Sequence, residues 1–253
     1  MLAPVSVQNP RLAVCAFALS LGVTLALAAP TSAQGLSIGW RDCRSGNGIG
    51  GTDEDPDCTP NFNPLSLFPA IRLASRVDSV FAMELVIDVD VATDSLPPWW
   101  HVEAGGCRQN AWSANTAHPP NCPDAWAAQG VASVQGWIPG SPGGSPRHAR
   151  LLVAAEALPG HMGTLAANVS YSACRVVLAL TDPNGCAGCT FPSCLVFNSL
   201  LIRRQPGSSV EELLFSDPEA AGSNMVTIHG LGADCQSVPI RRRTWGALKA
   251  LYH

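Results

Sequence analysis

"AMELVIDVDV", residues 82–91, carries a two-residue period that points to extended backbone. Met83, Leu85, Ile87, Val89 and Val91 take every second position, and Glu84, Asp88 and Asp90 fall between them. Side chains of an extended backbone point to opposite faces in turn, so this pattern makes one apolar and one polar surface. A helix would scatter the same residues around its circumference. Working outward, further short apolar runs read as strands: "LFPAIRLA", "WWHVEA", "VASVQGWI", "HARLLVAAEA", "ANVSYSACRVVLAL", "CLVFNSLLIRR", "VEELLF" and "NMVTIHG". Turn-forming clusters such as "TDPNG", "PGSPGGSP" and "QPGSS" separate them. Many short strands with such turns predict an all-β chain, a single antiparallel β-sandwich spanning 34–240. "PDAWAAQ" (123–129) reads as a turn, and a basic tail, 241–253, reads as a short C-terminal amphipathic helix. Its stripe is Trp245, Leu248 and Leu251.

The first 33 residues have another character. A lone Arg11 precedes the apolar run "LAVCAFALSLGVTLALAA", and small residues "PTSAQG" close it. That order is a secretory signal peptide, with cleavage expected after Ala33. No basic cluster follows the run, so no stable membrane span is expected after cleavage. The expected location is therefore secreted, extracellular or periplasmic. Net charge is −4, charged residues make up 13% of the chain, and Lys249 is its single lysine. Phosphate backbones are held by clustered Lys and Arg, so nucleic acid is not an expected partner.

"CAGCTFPSC" (186–194) places three cysteines in nine positions. A structural zinc site uses four ligands in close pairs, and no second C-x-x-C or H-x-x-x-H accompanies this one. A redox C-x-x-C opens a helix, whereas "LVFNSLLIRR" reads as a strand. In an oxidising compartment the cysteines are expected to be disulfides, with no cofactor required. The spacing suggests Cys43–Cys58 and Cys107–Cys122, both in a "CR…PxC" frame of 15. Two more bonds are expected among Cys174, Cys186, Cys189 and Cys194, with Cys235 left over.

Other motifs are weaker. "GNGIGG" (46–51) fits a dinucleotide fingerprint by letters, but prolines and acids follow where a helix must start. Asp53, Asp55 and Asp57 alternate on that loop and form a partial calcium set without a distal Glu. His118, His148, His161 and His229 show no ligand spacing. Asp88 and Asp90 share a strand face, and their separation of about 6.5 Å along it is near that of glycosidase carboxylates. A solvated face is the plainer expectation for them. Tryptophan is the stronger signal, because Trp99, Trp100, Trp112, Trp126 and Trp137 crowd one region of the chain. If "PWWHV" is a strand, Trp99 and Trp100 face opposite ways and one indole can offer a flat platform to a sugar ring.

Four stretches together resemble a group of secreted bacterial β-rich proteins of unassigned activity. They are "LPPWW" (96–100), "GCR" (106–108), "CAGCTFPSCLVFNSLLIRRQP" (186–206) and "RTWGALKALYH" (243–253). The resemblance implies secretion and a disulfide-bonded β build, and brings no catalytic residue with it. The expected function is a non-enzymatic extracellular binding or structural module, with a glycan or cell-surface component as partner through the tryptophans. The alternatives are a glycosidase-like hydrolase using Asp88 and Asp90, and a surface-layer protein.

Overall fold

In the computed structural model, which describes residues 34–44, 48–58, 63–182, 184–230 and 235, "AMELVIDVDV" lies inside the longest strand. Thirteen strands are formed among the described residues. They begin with β1 (Gly35–Trp40), β2 (Asp53–Glu54), β3 (Leu65–Arg72), β4 (Val77–Val91), β5 (Trp112–Asn115) and β6 (Gly130–Pro139). Then come β7 (His148–Ala157), β8 (Gly163–Leu165), β9 (Ser170–Ser172), β10 (Arg175–Leu178), β11 (Ser193–Arg204), β12 (Glu212–Phe215) and β13 (Met225–Ile228). The expected signal peptide and C-terminal helix lie outside the described residues.

The strands form two sheets, the layers of a β-sandwich. The smaller has five strands in the order β1-β3-β10-β5, with β9 also on β3. The larger has eight, in the order β2-β13-β11-β4-β7-β6, with β12 on β11 and β8 on β4. Pairing is antiparallel throughout except between β2 and β13. The alternation of β4 sets its register: Met83, Leu85, Ile87, Val89 and Val91 all face the core. Leu195, Phe197, Leu200 and Ile202 of β11 and Leu151 and Val153 of β7 flank them. The smaller sheet closes the core with Leu36, Ile38, Leu67, Ile71, Val176 and Leu178. A bulge between Phe197 and Ser199 keeps β11 in phase, since a one-residue slip would turn the apolar side outward.

"WWHVEA" departs from expectation. Two prolines precede the tryptophans and preset helical φ, so Pro98–Trp100 is a single 3₁₀ turn. "ANVSYSACRVVLAL" is divided into β9 and β10.

Candidate functional site

The larger sheet presents its outer face through the residues that alternate with the core. At one end of that face stand the two predicted carboxylates, and neither is solvated. Asp88 is fully buried, opposite Arg150 of β7 in the register of the two strands. Arg150 donates to it twice, Nε to Oδ1 at 2.6 Å and Nη2 to Oδ2 at 2.9 Å. Asn198 adds its side-chain amide to Oδ2. Asp90, also buried, lies 3.1 Å from Arg147 Nε and 3.4 Å from His148 Nε2. Alternation correctly set these acids on the outer face. The cross-strand bases that draw them out of water were legible only from the pairing. Breaking a buried pair of this kind costs about 3–5 kcal/mol, because it strands the remaining charge. A carboxylate held by both oxygens in this way is a structural anchor.

At the other end of the same face lies a groove of about 760 Å³. Val86 of β4, Leu152 of β7 and Leu201 of β11 form its floor, and Val131 and Leu214 stand exposed at its sides. On the solvent side of an antiparallel sheet these positions are ordinarily polar. Glu84, Glu156 and Arg203 edge it. Arg203 donates to Glu84 at 2.6 Å and lies 3.4 Å from Glu212, so carboxylates outnumber the base. Nothing in the spacing of single residues signalled this groove, because its lining comes from five strands.

The predicted tryptophan platform is overturned. Trp99, Trp100, Trp112 and Trp126 are each buried, and Trp137 is half-buried. Trp99 meets Trp100 edge-on with ring centres 5.0 Å apart, and Trp137 stacks on Trp100 at 6.2 Å. The 3₁₀ turn sends both neighbouring indoles inward, where a strand would have sent one out. Arg108 roofs the cluster, with its guanidinium carbon 3.8 Å from the Trp99 ring centre. It donates to the carbonyls of Trp99 and Ala179. Burial pushes Arg108 down to about 10, against a smaller upward pull from Asp182, and it remains charged at neutral pH. The cluster is a secondary core.

The cysteines are disulfides, but with a different connectivity from the one the spacing suggested. The bonds are Cys43–Cys122, Cys58–Cys189, Cys107–Cys186 and Cys194–Cys235. Cys174, expected in a bond, is a buried thiol, and Cys235, expected to be left over, is bonded. Each cysteine of "CAGCTFPSC" thus reaches a different distant segment. Cys174 is enclosed by the two sheets, and burial pushes its thiol up to about 12.

Asp53, Asp55 and Asp57 do not gather as a calcium set. Asp53 Oδ1 accepts from Thr227 Oγ1 at 2.6 Å and from the Gly230 N–H at 3.0 Å, holding the turn after β13. Asp55 Oδ1 accepts from His229 Nδ1 at 2.6 Å. His229 Nε2 in turn lies 3.5 Å from Cys58 Sγ. Cys58, Cys189 and His229 offer donor atoms within 4.8 Å of one another, though both sulfurs are joined to each other. No spaced partner marks His229 in the sequence. Its partners lie more than 170 residues away, brought to it by the parallel β2–β13 pair.

Comparison with protein families, with characterised proteins and with solved structures finds no match for this chain.

Proposed function

We propose that the protein is a secreted, non-enzymatic module that binds a cationic amphipathic peptide segment on the outer face of its larger sheet. The apolar groove carries this reading. Val86, Leu152 and Leu201 form an apolar floor where alternation calls for polar residues, and Glu84, Glu156 and Glu212 outweigh Arg203 beside it. Five strands side by side span about 19 Å, the length of a helix of about 13 residues. Such a helix would cover the floor with its apolar stripe and meet the carboxylates with its basic flank. Four disulfides fit an oxidising compartment, and the amino-terminal apolar run supports secretion. The hydrolase alternative has less support, because Asp88 and Asp90 are engaged by Arg150, Arg147 and His148. A sugar ligand no longer has its indole platform.

The test is fluorescence anisotropy of a labelled 14-residue Leu/Lys helix against the full chain. Leu201→Glu and Leu152→Glu should each weaken binding at least about tenfold, the equivalent of one lost apolar contact of 1.4 kcal/mol. Glu156→Gln should weaken it less and reduce its salt dependence. Binding indifferent to both leucine variants would remove the groove as the site. Binding that appears only after deletion of 241–253 would make the chain's own tail the occupant.

A further inference from the structure

Among the described residues, an imidazole is bonded to the Cys58–Cys189 disulfide, that of His229. The turn that carries His229 is built with some care. His229 has φ of +58°, a left-handed conformation uncommon for a residue with a Cβ. Three contacts hold the turn. The His229 N–H donates to the Glu54 carbonyl at 2.8 Å, and Asp53 holds Thr227 and Gly230 on either side. The carboxylate of Asp55 then requires a proton on Nδ1, which leaves Nε2 as the atom facing Cys58 Sγ. His229 is mostly covered, whereas Asp55 is open to solvent.

We infer that Cys58–Cys189 is a thiol-exchange site for an external dithiol, with His229, oriented by Asp55, stabilising the Cys58 sulfur as it leaves. The step balances as follows. A thiolate of the dithiol attacks Cys189 Sγ, a new S–S bond forms, and the Cys58–Cys189 bond breaks. Its electron pair passes to Cys58 Sγ, which forms an ion pair with protonated His229 or takes the Nε2 proton. The second thiol of the reagent then attacks the mixed disulfide, releasing Cys189 and leaving the reagent oxidised. Exchange is faster when the leaving sulfur is the better stabilised one, so the histidine selects both the bond and the direction of cleavage. Among the described residues, the charged and titratable groups around the imidazole are Asp55 on Nδ1, Cys58 on Nε2, Cys189 beyond it, and Asp53 through the turn. Glu54 contributes its backbone, and its carboxylate is held by Arg41 at 2.6 Å.

The other bonds supply the comparison. Cys43–Cys122 lies in the interior, out of reach of a reagent, whereas in Cys194–Cys235 Cys194 is buried and Cys235 half-buried. Cys107–Cys186 is about as accessible as Cys58–Cys189, since each joins a half-buried cysteine (Cys107, Cys58) to one only 7% or 9% exposed (Cys186, Cys189), and no histidine is bonded to it among the described residues. The experiment exposes the full chain to limiting dithiothreitol, quenches with N-ethylmaleimide, and maps labelled cysteines by mass spectrometry. In the unmodified protein Cys58 and Cys189 should label first, about tenfold faster than Cys107 and Cys186. His229→Gln should slow that opening about tenfold at pH 6 and little at pH 9. Asp55→Asn should give a smaller slowing with the same pH dependence, and Cys107–Cys186 should open at an unchanged rate in both variants. Equal labelling of the two bonds in the unmodified chain would overturn the inference whether or not the variants fold. So would a wild-type to His229→Gln ratio that is the same at both pH values, since a purely structural effect does not follow imidazole protonation.

Discussion

Cys174 illustrates how burial alone can set the behaviour of a residue. Enclosed by apolar side chains, its thiol has no medium in which to carry charge, and its pKa rises from 9.0 to about 12. An unfolded chain sheds this proton above about pH 9, while the folded chain keeps it. The folded state therefore loses ground as pH rises from about 9 towards 12, and nothing changes below that window. Urea unfolding at pH 8, 9 and 10 should show stability falling with pH, and Cys174→Ala should flatten that fall. An equal slope in both proteins would show that Cys174 has no part in it. Burial on the outer face has a related effect on Asp88 and Arg150, where removing either partner would strand the charge of the other.

Among the elements, the turn of "CAGC" acts as a joint. The Trp99 N–H donates to the Ala187 carbonyl at 2.9 Å, so this turn docks on the 3₁₀ turn that buries the tryptophans. Gly188 makes the approach close. Its φ is +107°, and a Cβ built on it would lie 2.4 Å from the Pro97 Cβ. Gly188→Ala must push the two turns apart and strain its own backbone, at a cost of about 1–3 kcal/mol. For a domain of this size that lowers Tm by roughly 3–10 °C. Differential scanning calorimetry should show the fall, and an unchanged Tm would mean that the turns are not docked in this way.

Across the whole molecule, the disulfides link segments separated by 79, 131, 79 and 41 positions. In the chain-entropy view each loop of that length restrains the unfolded chain by about 4–5 kcal/mol, although overlapping loops do not add. Non-reducing peptide mapping should recover these four pairs, and full reduction at neutral pH should unfold the protein. A Cys43–Cys58 or Cys107–Cys122 peptide would contradict the topology. The repeated spacing of 15 that suggested those pairs is a local feature of two loops, whereas bonding follows proximity in space.

Features that depend on neighbours along the chain were legible in the order of the residues. Alternation in "AMELVIDVDV" specified a strand, its core face and the outer placement of Glu84, Asp88 and Asp90, because side-chain direction in extended backbone has a period of two. Turn residues marked most of the strand boundaries, and cysteine content together with the apolar amino terminus pointed to disulfides. Proximity across the chain was decided only by the tertiary structure. Arg150 meets Asp88 through the β4–β7 register, Cys235 finds Cys194, and His229 comes between Asp55 and Cys58 through the β2–β13 pair. The tryptophans show the same division. Their clustering was plain in the sequence, but burial was decided by a proline-led turn docking under a disulfide-held loop. Local rules fix which way a side chain points, and only the packed sheets determine what it meets there.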